Sequence, residues 1–130
     1  MGAVSQLSAV GELFDTNILI DHLKGIAKAS REIAASQHPA ISIITWIEVM
    51  AGATTVSEEA RLKAFLANFE SLPVTVGVAE RAAAIRRKLR LKMPDAIILA
   101  TAEAAGRVLV TRDGKAFAAG MRGVRVPYKI

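Results

Sequence analysis

The chain alternates short apolar runs with longer stretches in which apolar side chains recur every three or four residues. Glu12-Leu13-Phe14 reads as a short strand, followed by a helix over Asn17 to Lys24, a break at Gly25 and a second helix from about Ala27 to Ser36. β-Branched residues dominate Ala40-Ile-Ser-Ile-Ile44 and Pro39 opens it, which predicts a buried second strand. A helix runs from Thr45 toward Gly52, and Ser57 opens another that reaches about Glu70, with Leu62, Phe65, Leu66 and Phe69 at helical spacing. Pro73-Val-Thr-Val76 predicts a third strand and Val78 to Leu91 a cationic helix. Pro94 starts an Ala-rich helix that Gly106 ends. Strands over Arg107 to Thr111 and Val124 to Tyr128 complete the pattern. This alternation predicts an α/β three-layer fold, a central mainly parallel β-sheet flanked by helices, in one domain over residues 1–130. In such sheets, sites gather at the carboxyl ends of the strands.

Composition narrows the chemistry. Among 130 residues there is no cysteine and there are two histidines, His22 and His38, which excludes thiolate zinc sites, disulfide frameworks and a cysteine nucleophile. Any metal must be held mainly by oxygen. Of the 52% hydrophobic residues, 24 are alanine and only six are aromatic, which favours closely packed helices. The longest uncharged stretch, Ile33 to Ile47, falls short of the ~18 apolar residues of a membrane span. The first eleven residues lack the basic start and apolar core of a secretory signal, so a cytoplasmic protein is expected. The net charge of +5 is unevenly spread: residues 1–65 carry −2 and residues 66–130 carry +7, which makes a polyanion a plausible partner.

Four acids each have an ordinary explanation. Asp15 follows the first strand where a helix N-cap is expected. Glu48, three residues after Thr45, completes a capping box. Asp95 lies in the first turn of a helix, where it complements the dipole, and Asp113 precedes Gly114 in a turn pair. Taken together they say more, because Asp15, Glu48 and Asp113 each follow a strand and so belong to one edge of a parallel sheet. Clustered carboxylates repel one another and raise their pKa values. A hard divalent cation, Mg²⁺ or Mn²⁺, resolves that conflict and leaves positions for a phosphate oxygen.

Leu13 to Asp21, Thr45-Trp46-Ile47-Glu48-Val49, Met93-Pro94-Asp95 through Ala102, and Leu109-Val110-Thr111-Arg112-Asp113, in that order, resemble the PIN-domain ribonucleases. The likeness is greatest to the VapC-type toxins of toxin–antitoxin systems, and it runs from about residue 12 to 130. It implies a compact α/β fold in which Asp15, Glu48, Asp95 and Asp113 are the catalytic and metal-binding acids. Asn17 matches the Asp-x-Asn element that orients the first carboxylate, and Thr111 matches a hydroxyl residue beside the fourth acid. Many relatives carry a polar residue where this chain has Ala116, just before the aromatic Phe117. That departure points to one tightly held ion. The resemblance further implies hydrolysis of RNA phosphodiesters, a homodimer, and inhibition by a small VapB-like antitoxin.

RNA must be gripped outside the acidic pocket. Arg81, Arg86, Arg87, Lys88, Arg90 and Lys92 place six cations in twelve residues without an acid, and Arg112 adjoins the site; Arg86, Arg87, Arg90 and Arg112 are the expected RNA-binding residues. Phe14, Phe65 and Phe69 are assigned to the core, and Trp46 to packing rather than base stacking. The alternatives are a housekeeping PIN nuclease of RNA processing, with the same chemistry, and a non-catalytic RNA-binding module whose carboxylates are only caps.

Overall fold

The computed structural model describes residues 11–117 and 121–129. The expectation drawn from the first eleven residues therefore falls, save for Gly11, outside the described part. Five strands form one parallel sheet: β1 (Glu12–Phe14), β2 (Ala40–Ser42), β3 (Glu70–Leu72), β4 (Val108–Val110) and β5 (Val124–Arg125), in the order β3-β2-β1-β4-β5. The helices are α1 (Thr16–Leu23), α2 (Ala27–Ala35), α3 (Ile43–Met50), α4 (Val56–Leu66), α5 (Val76–Leu89) and α6 (Met93–Ala105). None of the described helices is long and apolar enough to cross a membrane.

The two-residue period of the strands divides the core into two layers. Leu13 and Leu109, opposite each other in register, face α5 and α6, where Val78, Ala82, Ile85, Ala96 and Leu99 are buried with Phe117. Their neighbours Phe14 and Val110 face the other way, onto Ile18, Leu19, Ile41, Val49, Leu66 and Phe69 of α1, α3, α4 and the adjoining chain. Phe14, Phe65 and Phe69 meet edge to face, with ring centres 6.3 and 5.3 Å apart, and Trp46 packs against the same layer, as expected. Small residues suit the α5–α6 pair, since Ala82, Ala96, Ala100 and Ala102 are all buried and let backbones approach.

Three elements depart from the sequence reading. Helix α4 is capped by the Thr55 hydroxyl rather than opened by Ser57 and ends at Leu66, and Glu70 belongs to β3. Helix α3 begins at Ile43 because the hydroxyl of Ser42 caps it, accepting from Ile44 N at 3.1 Å. Thr45 is thus inside the helix, and no capping box joins it to Glu48. The third strand is Glu70–Leu72 rather than Pro73–Val76, because Thr75 accepts from Val78 N and caps α5, turning Val76 into the first helical residue. The helix bounded by Pro94 and Gly106 is present as read, with Gly106 at φ 67°.

The amino ends of the strands are braced by Arg107, whose Nη1 donates to the carbonyls of Glu12 at 3.2 Å and His38 at 2.5 Å, and whose Nη2 pairs with Glu70 at 3.0 Å. Gly11, at φ 90°, lies so close to this brace that a Cβ would stand 2.8 Å from the His38 carbonyl oxygen.

Candidate active site

At the opposite, carboxyl end of the sheet the chain diverges, since β1 is flanked by β2 on one side and β4 on the other. This is the switch point where an α/β sheet opens a crevice. Asp15 leaves β1 into it and is only 5% exposed. Its Oδ1 accepts from Thr16 N at 2.7 Å, so it caps α1. Its Oδ2 accepts from the Thr111 hydroxyl at 2.7 Å and from Asn17 Nδ2 at 3.3 Å. Burial pushes the Asp15 carboxyl up to about 6; the hydrogen bonds oppose that rise, and the charges of Asp95 and Glu48 add to it.

Thr111 is the junction of the site. Its hydroxyl donates to Asp15 and accepts from Asn17 Nδ2 at 3.3 Å and from Asp113 N at 3.1 Å. Asn17 spends its other end on Arg112 N, accepting at 3.3 Å. Asp113 accepts on Oδ1 from Lys115 N and Ala116 N at 3.1 and 3.0 Å, which is the turn role foreseen for it. Glu48 reaches the site from α3, where its Oε1 accepts from the Thr16 hydroxyl at 2.6 Å; Thr16 also meets the buried Thr45 hydroxyl at 2.8 Å. Because Thr16 has one proton and gives it to the carboxylate, Thr45 donates to Thr16.

Asp95, in the first turn of α6, is half-buried and electrostatically coupled to the other acids. Burial raises its pKa, and the charges of Asp113 and Glu48 raise it further against the opposing pull of Lys92. The structure thus brings Asp15, Glu48, Asp95 and Asp113 to one end of the sheet, with Asn17 and Thr111 between them. Among the described residues, no three His, Cys, Asp or Glu side chains stand close enough together to hold a metal ion. Their chemistry nevertheless fits Mg²⁺ or Mn²⁺, since Mg²⁺ is usually held through one or two carboxylates and keeps several waters.

The cations divide. Arg90, Lys92 and Lys115 line a cleft of about 410 Å³ with Asp95 and Asp113. A second cleft of about 740 Å³, on the other side of Asp113, is lined by Asn17, Arg112, Lys115 and Lys129. Arg86 lies elsewhere: its Nε donates to the Leu91 carbonyl at 3.2 Å, bracing the turn between α5 and α6, while Arg87 is exposed and lines neither cleft. Arg112 Nε donates to Asp21 Oδ2 at 2.5 Å. Thr16, Lys115 and Lys129 carry no signal of a site role in the sequence, and Thr45 reads there only as a cap. Asp21 and Tyr128 were quoted there without a role.

A parallel α/β sheet with these acids at its switch point is the architecture of a PIN domain. The PIN-domain model matches residues 13–120, and the chain belongs to that family. At 46% identity and a TM-score of 0.86 it is similar to a chain of a toxin–antitoxin complex from Klebsiella pneumoniae, with 92% of this chain and 99% of that one covered. It is 25% identical to a chain of DNA-bound VapBC from Salmonella typhimurium, with a TM-score of 0.70 over 87% and 93% of the two chains. FitAcB from Neisseria gonorrhoeae, at 23% identity, a TM-score of 0.75 and coverage of 91% and 99%, shares the fold. No curated protein matches.

Proposed function

We propose that this protein is a divalent-metal-dependent ribonuclease that hydrolyses RNA phosphodiester bonds, and that it is the toxin of a VapBC-type pair. The observation that supports the nuclease reading is the placement of Asp15, Glu48, Asp95 and Asp113 at one end of the sheet, where burial and mutual repulsion raise the carboxyls of Asp15 and Asp95. The likeness to the Klebsiella pneumoniae toxin–antitoxin chain supports the toxin role and a VapB-like antitoxin as partner. A homodimer and a cytoplasmic location belong to the same reading.

Asp15, Glu48 and Asp95 would hold Mg²⁺ or Mn²⁺ directly or through water. When bound, the ion supplies Lewis acidity, polarising the phosphoryl group and lowering the pKa of water. Thr111 and Asn17 hold Asp15 in one orientation, and Thr16 does the same for Glu48. Asp113 commits Oδ1 to its own turn, which leaves Oδ2 to orient the attacking water. Arg90, Lys92, Lys115 and Lys129 hold the backbone phosphates beside the acids.

The test is cleavage of single-stranded RNA with Mg²⁺ or Mn²⁺, by the wild type and by Asp95→Asn. Products bearing 5′-phosphate and 3′-hydroxyl ends are expected from the wild type, with the rate reduced about a hundredfold or more in the variant. Cyclic 2′,3′-phosphate ends, or undiminished cleavage by pure Asp95→Asn, would sink the reading. Growth arrest on expression without the antitoxin separates the toxin from a housekeeping nuclease.

A further inference from the structure

We infer that Asp21, Arg112 and Tyr128 form a strap, anchored on a buried carboxylate, that positions the loop 111–113, so that Arg112 serves the site through Thr111 and Asp113 rather than by holding RNA. The inference rests on the nuclease reading only for what the loop is positioned to do.

Asn17 and Asp21 are four residues apart on α1 and therefore share a face. Asn17 holds Arg112 by its backbone, accepting from its N–H at 3.3 Å, and Asp21 holds it by its side chain, through Nε at 2.5 Å. Residue 112 is thus clasped at both ends. Its two neighbours are site residues: the Thr111 hydroxyl donates to Asp15, and Asp113 N donates back to Thr111. Tyr128, after β5, is buried and donates its hydroxyl to the same Asp21 oxygen at 2.8 Å. One carboxylate on α1 therefore ties together the loop after β4 and the chain after β5.

Burial decides how Arg112 is used. Asp21 is 1% exposed, and a carboxylate so deeply placed needs a permanent counter-charge. If the guanidinium turned to a phosphate, Asp21 would be left as an uncompensated buried charge. The outer edge of Arg112 borders the larger cleft, but Lys115 and Lys129 line that cleft too, and neither forms an ion pair among the described residues. Phosphate contacts in this cleft fall to the two lysines.

The test uses Arg112→Lys, which keeps the charge but not the fork, and Tyr128→Phe, which keeps the ion pair and removes one hydroxyl. RNA affinity is measured by fluorescence anisotropy in the Asp95→Asn background over a salt series, with a labelled single-stranded RNA. Cleavage is measured in the otherwise native protein, and amide hydrogen exchange in both. The expected result is RNA affinity within about twofold of the parent and an unchanged salt slope, with kcat lowered about tenfold at constant KM. Exchange should speed up at the Lys115 and Ala116 amides, which are bonded to Asp113, and not in β1 or β2. Loss of RNA affinity in Arg112→Lys, with a salt slope shallower by about 0.7 and exchange unchanged, would instead make Arg112 a phosphate ligand and overturn the inference. If the wild type cleaves no RNA, the nuclease reading falls by itself, and exchange in Tyr128→Phe still decides: unaltered protection of Lys115 and Ala116 refutes the strap. The same measurement decides the matter if Arg112→Lys does not fold.

Discussion

The Thr16 hydroxyl donates to Glu48 Oε1 at 2.6 Å, joining the first turn of α1 to the last turn of α3. Glu48 is exposed, and this bond is what gives its carboxylate a defined place beside Asp15 and Asp95. Removing the hydroxyl with Thr16→Val should lower RNA cleavage about tenfold. It also deprives the buried Thr45 hydroxyl of its acceptor, at a cost of about 1–3 kcal/mol. Thr16→Ser, which restores the donor, should recover most of both losses in cleavage assays and thermal unfolding. A valine variant with wild-type kinetics would show that Glu48 needs no tether.

The raised carboxyl of Asp15 makes the metal-free protein more stable toward acid in this one respect. Its folded pKa of about 6 lies above the unfolded 3.8, so the folded state takes up the proton first as pH falls, and the cost of a buried charge is relieved between these values. Asp15→Asn never bears that charge. In chelator, the stability of the variant relative to wild type should therefore shift in the variant's favour by on the order of 1–3 kcal/mol on going from pH 4 to pH 7.5, as read by denaturant unfolding. A difference that is flat across this range would contradict the assignment.

Metal binding should have the opposite sensitivity. An ion competes with the proton on Asp15, so affinity for Mn²⁺ should be constant above pH 7 and fall by up to about tenfold per pH unit below about 6. Titration calorimetry across this range measures it, and the slope should flatten in Asp15→Asn.

The cations beside the acids should act as phosphate contacts. Neutralising Arg90, Lys92, Lys115 or Lys129 singly to Gln should weaken single-stranded RNA binding and make its salt dependence shallower by about 0.7 in logarithmic slope for each contact removed. Arg87→Gln, on the exposed outer face of α5, should change neither. Equal effects at Arg87 and Arg90 would point to diffuse attraction rather than a defined path.

Much of this was legible from residue type and spacing. Phe14-Asp15 at the end of a strand, Pro94-Asp95 at the start of a helix and Asp113-Gly114 in a turn are local signals, and each residue has the local role its neighbours suggest. The same roles did not exclude chemistry, since Asp15 caps α1 with one oxygen and enters the site with the other. Glu48 misled in the other direction: Thr45 and Glu48 fit a capping box, but Ser42 supplies the cap, and Thr45 joins the site through Thr16, 29 residues away in the chain. The strap was illegible for a similar reason, because Asp21, Arg112 and Tyr128 meet only when α1, β4 and the chain after β5 are assembled. A basic residue beside an acidic motif reads as a phosphate ligand, and only the assembled fold sets the buried Asp21 carboxylate opposite Arg112.

The Arg107 brace lies at the amino ends of the strands, a full sheet length from the carboxylates. Cohesion of the sheet and tension among its charges are therefore kept at opposite poles of the molecule. Like charges that strain one rim are answered by a guanidinium holding three strands at the other, and side chains around the pocket can be exchanged without touching the anchorage that keeps the strands in register.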